Sequence, residues 1–123
     1  MLGLLIGWYV LFVSTPDNLS SKICNDLKNE DFVSEWQSFT PNEQVHNGSI
    51  ESVFVENRRF ENQLTHGVVS CTTSSATRNG DSASSQITIV YGGGEREVDI
   101  LYMVNDRGTW LVDSIQQVSF YQQ

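Results

Sequence analysis

The sequence predicts an α+β domain in which N-terminal helices pack on a curved four-stranded antiparallel sheet. Up to Gly67, apolar residues recur every three or four positions, the period of a helix buried along one side. From Val68 the period becomes two, that of a half-buried strand. The second half is also punctuated by Asn79-Gly80, by "GGG" at 92–94 and by "NDRG" at 105–108, all turn chemistry.

The first helix lies in "TPDNLSSKICNDLK", where Asp17 or Asn18 can cap the start. Leu19, Ile23 and Leu27 recur every fourth residue, with Cys24 beside them on one face. "NEDFVSEW" predicts a short second helix with Phe32, Val33 and Trp36 turned inward, and "TPNEQVHNGS" reads as a loop. A third helix is expected from Ser49 to the Gly67 stop, with Ile50, Val53, Phe54, Phe60 and Leu64 at helical spacing. Glu56, Arg58, Arg59 and Glu61 are expected on its solvated face.

Four strands follow. "VVSCTTSSATRNG" is a polar strand ending at the Asn79-Gly80 hairpin, and "SASSQITIVYGGG" places Ile87, Ile89 and Tyr91 on one face. "EREVDILYMV" alternates Val98, Ile100, Tyr102 and Val104 against Asp99, Leu101 and Met103. In the last strand Trp110 and Val112 share a face, and Val118 and Phe120 continue the period. Trp110 is expected to fill the hollow between sheet and helices.

A chain of 123 residues is one domain's worth. Fifteen acidic against seven basic residues give a net charge of −8, and the bases are scattered apart from Arg58-Arg59. Nucleic-acid binders gain affinity by releasing counterions with Lys and Arg, so this balance argues against one, and against adsorption to anionic lipid.

The uncharged run Leu2 to Val13 differs from the rest of the chain. As a helix it would cover roughly 18 Å, short of a hydrocarbon core of about 30 Å. Residues 1–15 are therefore expected to be a signal's apolar centre or the end of a truncated membrane anchor, with the domain occupying 16–123; a buried arm is the alternative. No Lys or Arg precedes the run, which a signal or anchor would favour. Outside the cytoplasm, Cys24 and Cys71 would form one disulfide between the first helix and first strand; otherwise they are two buried thiols.

The stretches "ICNDLKNEDFVSEWQSF", "VVSCTTSS", "SASSQITIVYGGGEREVDILYMV" and "NDRGTWLVDSI" together resemble the small extracytoplasmic NTF2-like domains. Within that superfamily they are most similar to the lumazine-binding-like group of membrane-anchored and secreted bacterial proteins of unknown function. The resemblance spans about residues 18 to 120, and "GTWLVDSI" is its most telling part. It implies a cone of helices on a bent sheet, often enclosing a pocket, here expected to be lined by Trp36, Phe54, Tyr91, Tyr102 and Trp110.

Enzymes on such a scaffold set an acid inside the cone, where an apolar pocket raises its pKa. The candidates are Asp99 and Asp113, with Tyr102. Asp99 points outward if Val98 and Ile100 face the core, and inward if Leu101 and Met103 do; charged residues are seldom buried unpaired, so outward is expected. Asp113 is expected to be a surface acid or the partner of a hydroxyl, and His66 to meet the dipole at the end of the third helix. No nucleophile elbow, phosphate loop or metal-ligand spacing is present, and no cofactor is expected.

The sequence thus points first to a non-enzymatic extracytoplasmic module that binds a small ligand or an envelope protein. A structural subunit of a secretion or conjugation assembly and an isomerase-, dehydratase- or cyclase-like enzyme are the alternatives. Expected partners include a second copy of the chain and the membrane, through residues 1–15.

Overall fold

The computed structural model describes residues 13–122, so most of the apolar lead lies outside it. The described residues form α1 (Pro16–Lys28), α2 (Phe32–Gln37), α3 (Pro41–His46) and α4 (Glu51–Leu64), then β1 (Val68–Thr73), β2 (Thr77–Asn79), β3 (Ser82–Tyr91), β4 (Arg96–Asp106) and β5 (Thr109–Tyr121). The strands make one antiparallel sheet in the order β1-β3-β4-β5, with β2 pairing β3. Among the described residues no helix is long and apolar enough to cross a membrane.

Two helix starts differ from expectation for one reason. Proline lacks an N–H and has a helical φ, so it favours the first turn and pushes the cap one residue back. Pro16 places the α1 cap at Thr15, whose hydroxyl accepts from the Asn18 N–H at 3.1 Å. Pro41 turns the expected loop into α3, capped by Thr40. Asp17, freed from capping, accepts from the Ala76 N–H at 2.8 Å. That bond lies where the expected first strand is broken in two: Ser74, just after β1, exchanges two bonds with Gln86, and pairing with β3 resumes only at Thr77 opposite Ser84. The sheet therefore has five strands, not four.

α4 begins at Glu51 rather than Ser49, whose φ of +68° is not helical. It buries Phe54 and Val55 and leaves Ile50, Val53, Phe60 and Leu64 exposed. α1 buries the Leu19, Ile23, Cys24 and Leu27 face against the sheet, as its period requires.

Two turns fix how the long strands fold back on one another. Arg107 and Gly108, with φ of +54° and +93°, link Asp106 to Thr109, and positive φ at both positions matches the right-handed twist of a two-residue hairpin. The glycine turn joining β3 to β4 sits against the α4–β1 corner: the Gly92 N–H donates to Gly67 O and the Gly93 N–H to Thr65 O. A Cβ on Gly92 would lie 2.3 Å from His66 O, so only glycine allows this approach.

The core lies between the helices and the inner face of the sheet. Trp110, Val112, Leu101, Met103, Ile87, Leu19 and Ile23 are almost wholly buried. Trp36, Phe39 and Phe54 form an aromatic cluster, with ring centroids 5.3 Å apart for Trp36–Phe54 and 5.4 Å for Phe39–Phe54. Val13 is buried, and its carbonyl accepts from the Trp110 N–H at 2.9 Å.

Cys24 of α1 and Cys71 of β1 form a disulfide across a sequence separation of 47. Closing such a loop limits the unfolded chain and contributes about 2–4 kcal/mol. Replacing both cysteines by serine is expected to lower the unfolding free energy by that amount in urea denaturation, with the oxidised parent as reference. An unchanged midpoint would mean that the cross-link does not constrain the unfolded chain.

Candidate functional site

β4 and β5 build the site. Asp99, Leu101 and Met103 of β4 are buried, whereas Val98 and Ile100 are only partly covered, so the inner face carries the acid. Asp99 is 6% exposed and points inward, opposite to the expectation. The cause is register: Leu101 pairs with Ser85 and Ile115, Met103 with Ala83 and Val112, and these flank the core under α1. An inward Leu101 carries Asp99 and Glu97 to the same face.

β5 follows this face only because it is irregular twice. The pairing with β4 shifts between Val98 and Asp99 and between Tyr102 and Met103, leaving Val118 and Asp113 as extra residues. Each bulge resets the alternation, so Ile115, Gln117 and Phe120 lie opposite Leu101, Asp99 and Glu97. Without them Phe120 would not share a face with Gln117.

At this end of the sheet the helices stand off and leave a half-open cavity of about 420 Å³. One part of its wall is apolar: Leu27 of α1, Phe32 of α2, Leu64 of α4, Val68 of β1 and Phe120 of β5. The other is polar: Arg58, Glu61 and Asn62 of α4, Thr65, Tyr91 of β3, Glu97 of β4 and Gln117 of β5.

Arg58 is not on a solvated face. Its guanidinium grips the buried Glu35 of α2 in two bonds, Nε to Oε1 at 3.1 Å and Nη2 to Oε2 at 2.8 Å, and lies 5.0 Å from the Phe54 ring centroid. A third contact runs from Nη1 to Glu61 at 3.4 Å. The planar fork matches a carboxylate and so ties α4 to α2. Burial pushes the Glu35 pKa up, against the opposing pull of Arg58.

Asp99 stands behind the cavity wall, with Glu97 and Arg58 as its charged neighbours. Its Oδ1 has no hydrogen-bond partner. Burial, and then the adjacent Glu97 carboxyl, push its pKa up to about 8, so it is neutral at pH 7. The Tyr91 hydroxyl donates to Glu97 Oε1 at 2.9 Å, and burial followed by the Glu97 charge raises the tyrosine pKa. The end of the cone thus holds a carboxylate oriented by a phenol and backed by a second, protonated carboxyl.

Among solved structures, a Campylobacter jejuni protein provisionally named an NTF2-like transpeptidase superposes with a TM-score of 0.62 at 18% identity, covering 82% of this chain and 99% of that one. An NTF2-like protein of unknown function from Shewanella baltica superposes with a TM-score of 0.61 at 13% identity, covering 97% of both chains. This chain has the NTF2-like fold. No protein-family model and no curated protein matches the sequence.

Within the NTF2-like cone, the residues singled out from sequence lie in several places. Of the five expected pocket residues, Tyr91 lines the main cavity. Trp110 and Trp36 are core, and Phe54 edges a small cleft of about 90 Å³ beside Arg58. Tyr102 is 40% exposed, its hydroxyl donates to Gln116, and with Asp113 it borders a separate, more open cleft of about 360 Å³. It cannot act with Asp99, since residues one or three apart on a strand point to opposite faces. Asp113 accepts from the Thr40 hydroxyl at 2.9 Å and helps dock the α2–α3 segment on β5. His66, with φ of +61°, follows the Thr65 cap in the turn after α4. Among the described residues, no group of three or more His, Cys, Asp or Glu could hold a metal ion.

Sequence reading missed Glu97, Glu35 and Arg58. A usable signal existed for Glu97, which has the same parity as Asp99; Glu35 and Arg58 are joined only by the packing of α2 on α4.

The Asp99 shift makes stability depend on pH. Its folded-state pKa exceeds the unfolded value near 4, so between about pH 4 and about pH 8 the folded protein holds the extra proton. The stability this group contributes is complete below the lower value and is lost as pH rises through the upper. Asp99→Asn, neutral throughout, is expected to exceed the parent at pH 8 by about 1 kcal/mol or more and to lack this decline. Urea denaturation of both proteins across this range checks it, and parallel pH profiles would show that Asp99 is ionised in the fold.

Proposed function

We propose that this NTF2-like domain is a non-enzymatic, extracytoplasmic binding module for a small amphipathic molecule. The observation that carries the reading is the cavity of about 420 Å³, which has the size and the division into apolar and hydrogen-bonding walls of a small-molecule site. Its polar groups come from α4, β3, β4 and β5, so a ligand would be oriented by separate elements of the cone.

The placement outside the cytoplasm draws support from the Cys24–Cys71 disulfide and from the apolar lead. In that reading the lead is an export signal or anchor and the domain works in an oxidising compartment. Acid–base catalysis is a second reading, favoured by the buried, neutral Asp99. It ranks below binding because Glu97 and Tyr91, not Asp99, line the cavity.

A screen of small amphipathic compounds by thermal shift is expected to find ligands that raise Tm. Gln117→Trp places an indole into the cavity from an exposed strand position and should abolish those shifts while changing stability by about 0.5 kcal/mol or less. Shifts that survive Gln117→Trp would move binding elsewhere. For the compartment, alkylation of cells before lysis is expected to label neither Cys24 nor Cys71, and labelling of both would place the domain in a reducing environment.

A further inference from the structure

The charges around the cavity do not balance, and the imbalance says which ligands it would take. Arg58 is the one cation among its lining residues, and its guanidinium is already committed: two bonds to Glu35 and one contact to Glu61. Glu35 and Arg58 cancel each other. Glu61 and Glu97 then face the cavity with no further positive charge, and among the described residues no Lys or Arg makes an ion pair with Glu97. Tyr91 uses Glu97 Oε1, and the other side chain against this carboxylate is Asp99, itself an acid and no counter-charge.

Behind Glu97 lies a second observation of a different kind. Asp99 is 6% exposed, on the same inner face of β4, and its Oδ1 is unpartnered. A buried acceptor without a donor costs free energy, and a carboxylate held beside a second buried acid is relieved by a positive charge placed against it. An anionic ligand would instead meet two glutamates and an arginine already in use. Around the same cavity Leu27, Phe32, Val68 and Phe120, the last the cross-strand neighbour of Glu97, offer an apolar surface for a body that a bare inorganic cation lacks.

We propose that the cavity selects an organic cation, a primary ammonium or guanidinium on an apolar body, with its head against Glu97 and Glu61 and its body against Phe32 and Phe120. This rests on the ligand-binding reading above and adds the sign of the ligand's charge. It carries a linkage. The charged or titratable groups around Asp99 are Glu35 from α2, Arg58 from α4, Tyr91 from β3 and Glu97 from β4. A cation beside Glu97 offsets the charge that keeps Asp99 protonated, so binding near pH 7 releases a proton.

Isothermal titration calorimetry of the full chain with phenethylamine, phenethyl alcohol and phenylacetate holds the aromatic body nearly constant and changes the head. Phenethylamine is expected to bind about tenfold more tightly than the alcohol, with phenylacetate weakest. Glu97→Gln should remove that preference, and Glu61→Gln, at a more exposed position, should reduce it in a protein whose fold is not at risk. Repeating the amine titration in buffers of different ionisation enthalpy should show proton release that Asp99→Asn abolishes. Equal binding of amine and alcohol, or tighter binding of phenylacetate, would overturn the charge selection and leave the ligand-binding reading standing. If none of the three binds while compounds from the thermal-shift screen do, the cation preference also falls alone; if the screen is blank as well, both fall together.

Discussion

The pairing of β4 with β5 is the constraint on which the rest of this molecule depends. A regular antiparallel pair with this register would turn the end of β5 inside out, because each residue of slip exchanges the two faces of a strand. The extra residues at Asp113 and Val118 absorb the curvature of a long strand wrapping a cone. They keep Trp110, Val112, Ile115, Gln117 and Phe120 on the concave side over thirteen residues of strand. The first part of that series fills the core and the last part borders the cavity. Core and site are one face of one hairpin, read from its turn toward its open end.

The concave face changes character along its length. Near the Arg107-Gly108 turn it is Met103, Leu101, Trp110 and Val112, covered by α1 and the α2–α3 segment. Toward the glycine turn it becomes Asp99, Glu97 and Gln117, where the helices no longer close over the sheet. An acid buried at that boundary opposes folding near neutral pH, since it must be kept protonated to remain there. Glu35 meets the same difficulty by taking Arg58 as a partner, whereas Asp99 has Glu97 beside it and, among the described residues, no ion-pair partner. Local sacrifices of stability of this kind gather at functional sites.

The helices serve this arrangement unequally. α1 is fastened by its apolar face, by the Cys24–Cys71 bond and by Asp17 reaching Ala76. α4 buries only Phe54 and Val55, so the wall it lends to the cavity rests on the Arg58–Glu35 pair, the contacts of Phe54 with Trp36 and Phe39, and the Asn62–Glu30 bond. The glycine turn at 92–94 clamps the corner after α4, which sets the distance between Thr65 and Tyr91 on either side of the opening.

Much of the architecture was legible in the sequence. The change of period at Val68, the turns at Asn79-Gly80 and Arg107-Gly108, and the burial of Trp110 follow from local patterns whose physical causes lie within a few residues. The "TPNE" start of α3 carries a cap and a proline, local signals that outweigh the Asn47-Gly48 turn chemistry after it. The direction of Asp99 was not. Alternation along β4 allows either face inward, and the choice was made by Leu101 and Met103 meeting Ser85, Ala83 and α1 across the sheet. In the same way Arg58 belongs by spacing to a solvated helix face and by packing to Glu35, 23 positions away. Sequence alone therefore determined most helices and strands, because those preferences are local, while the break between β1 and β2 lies beside a contact 59 positions away. Which carboxylates face the cavity, and which cation answers them, was decided only when distant segments came together.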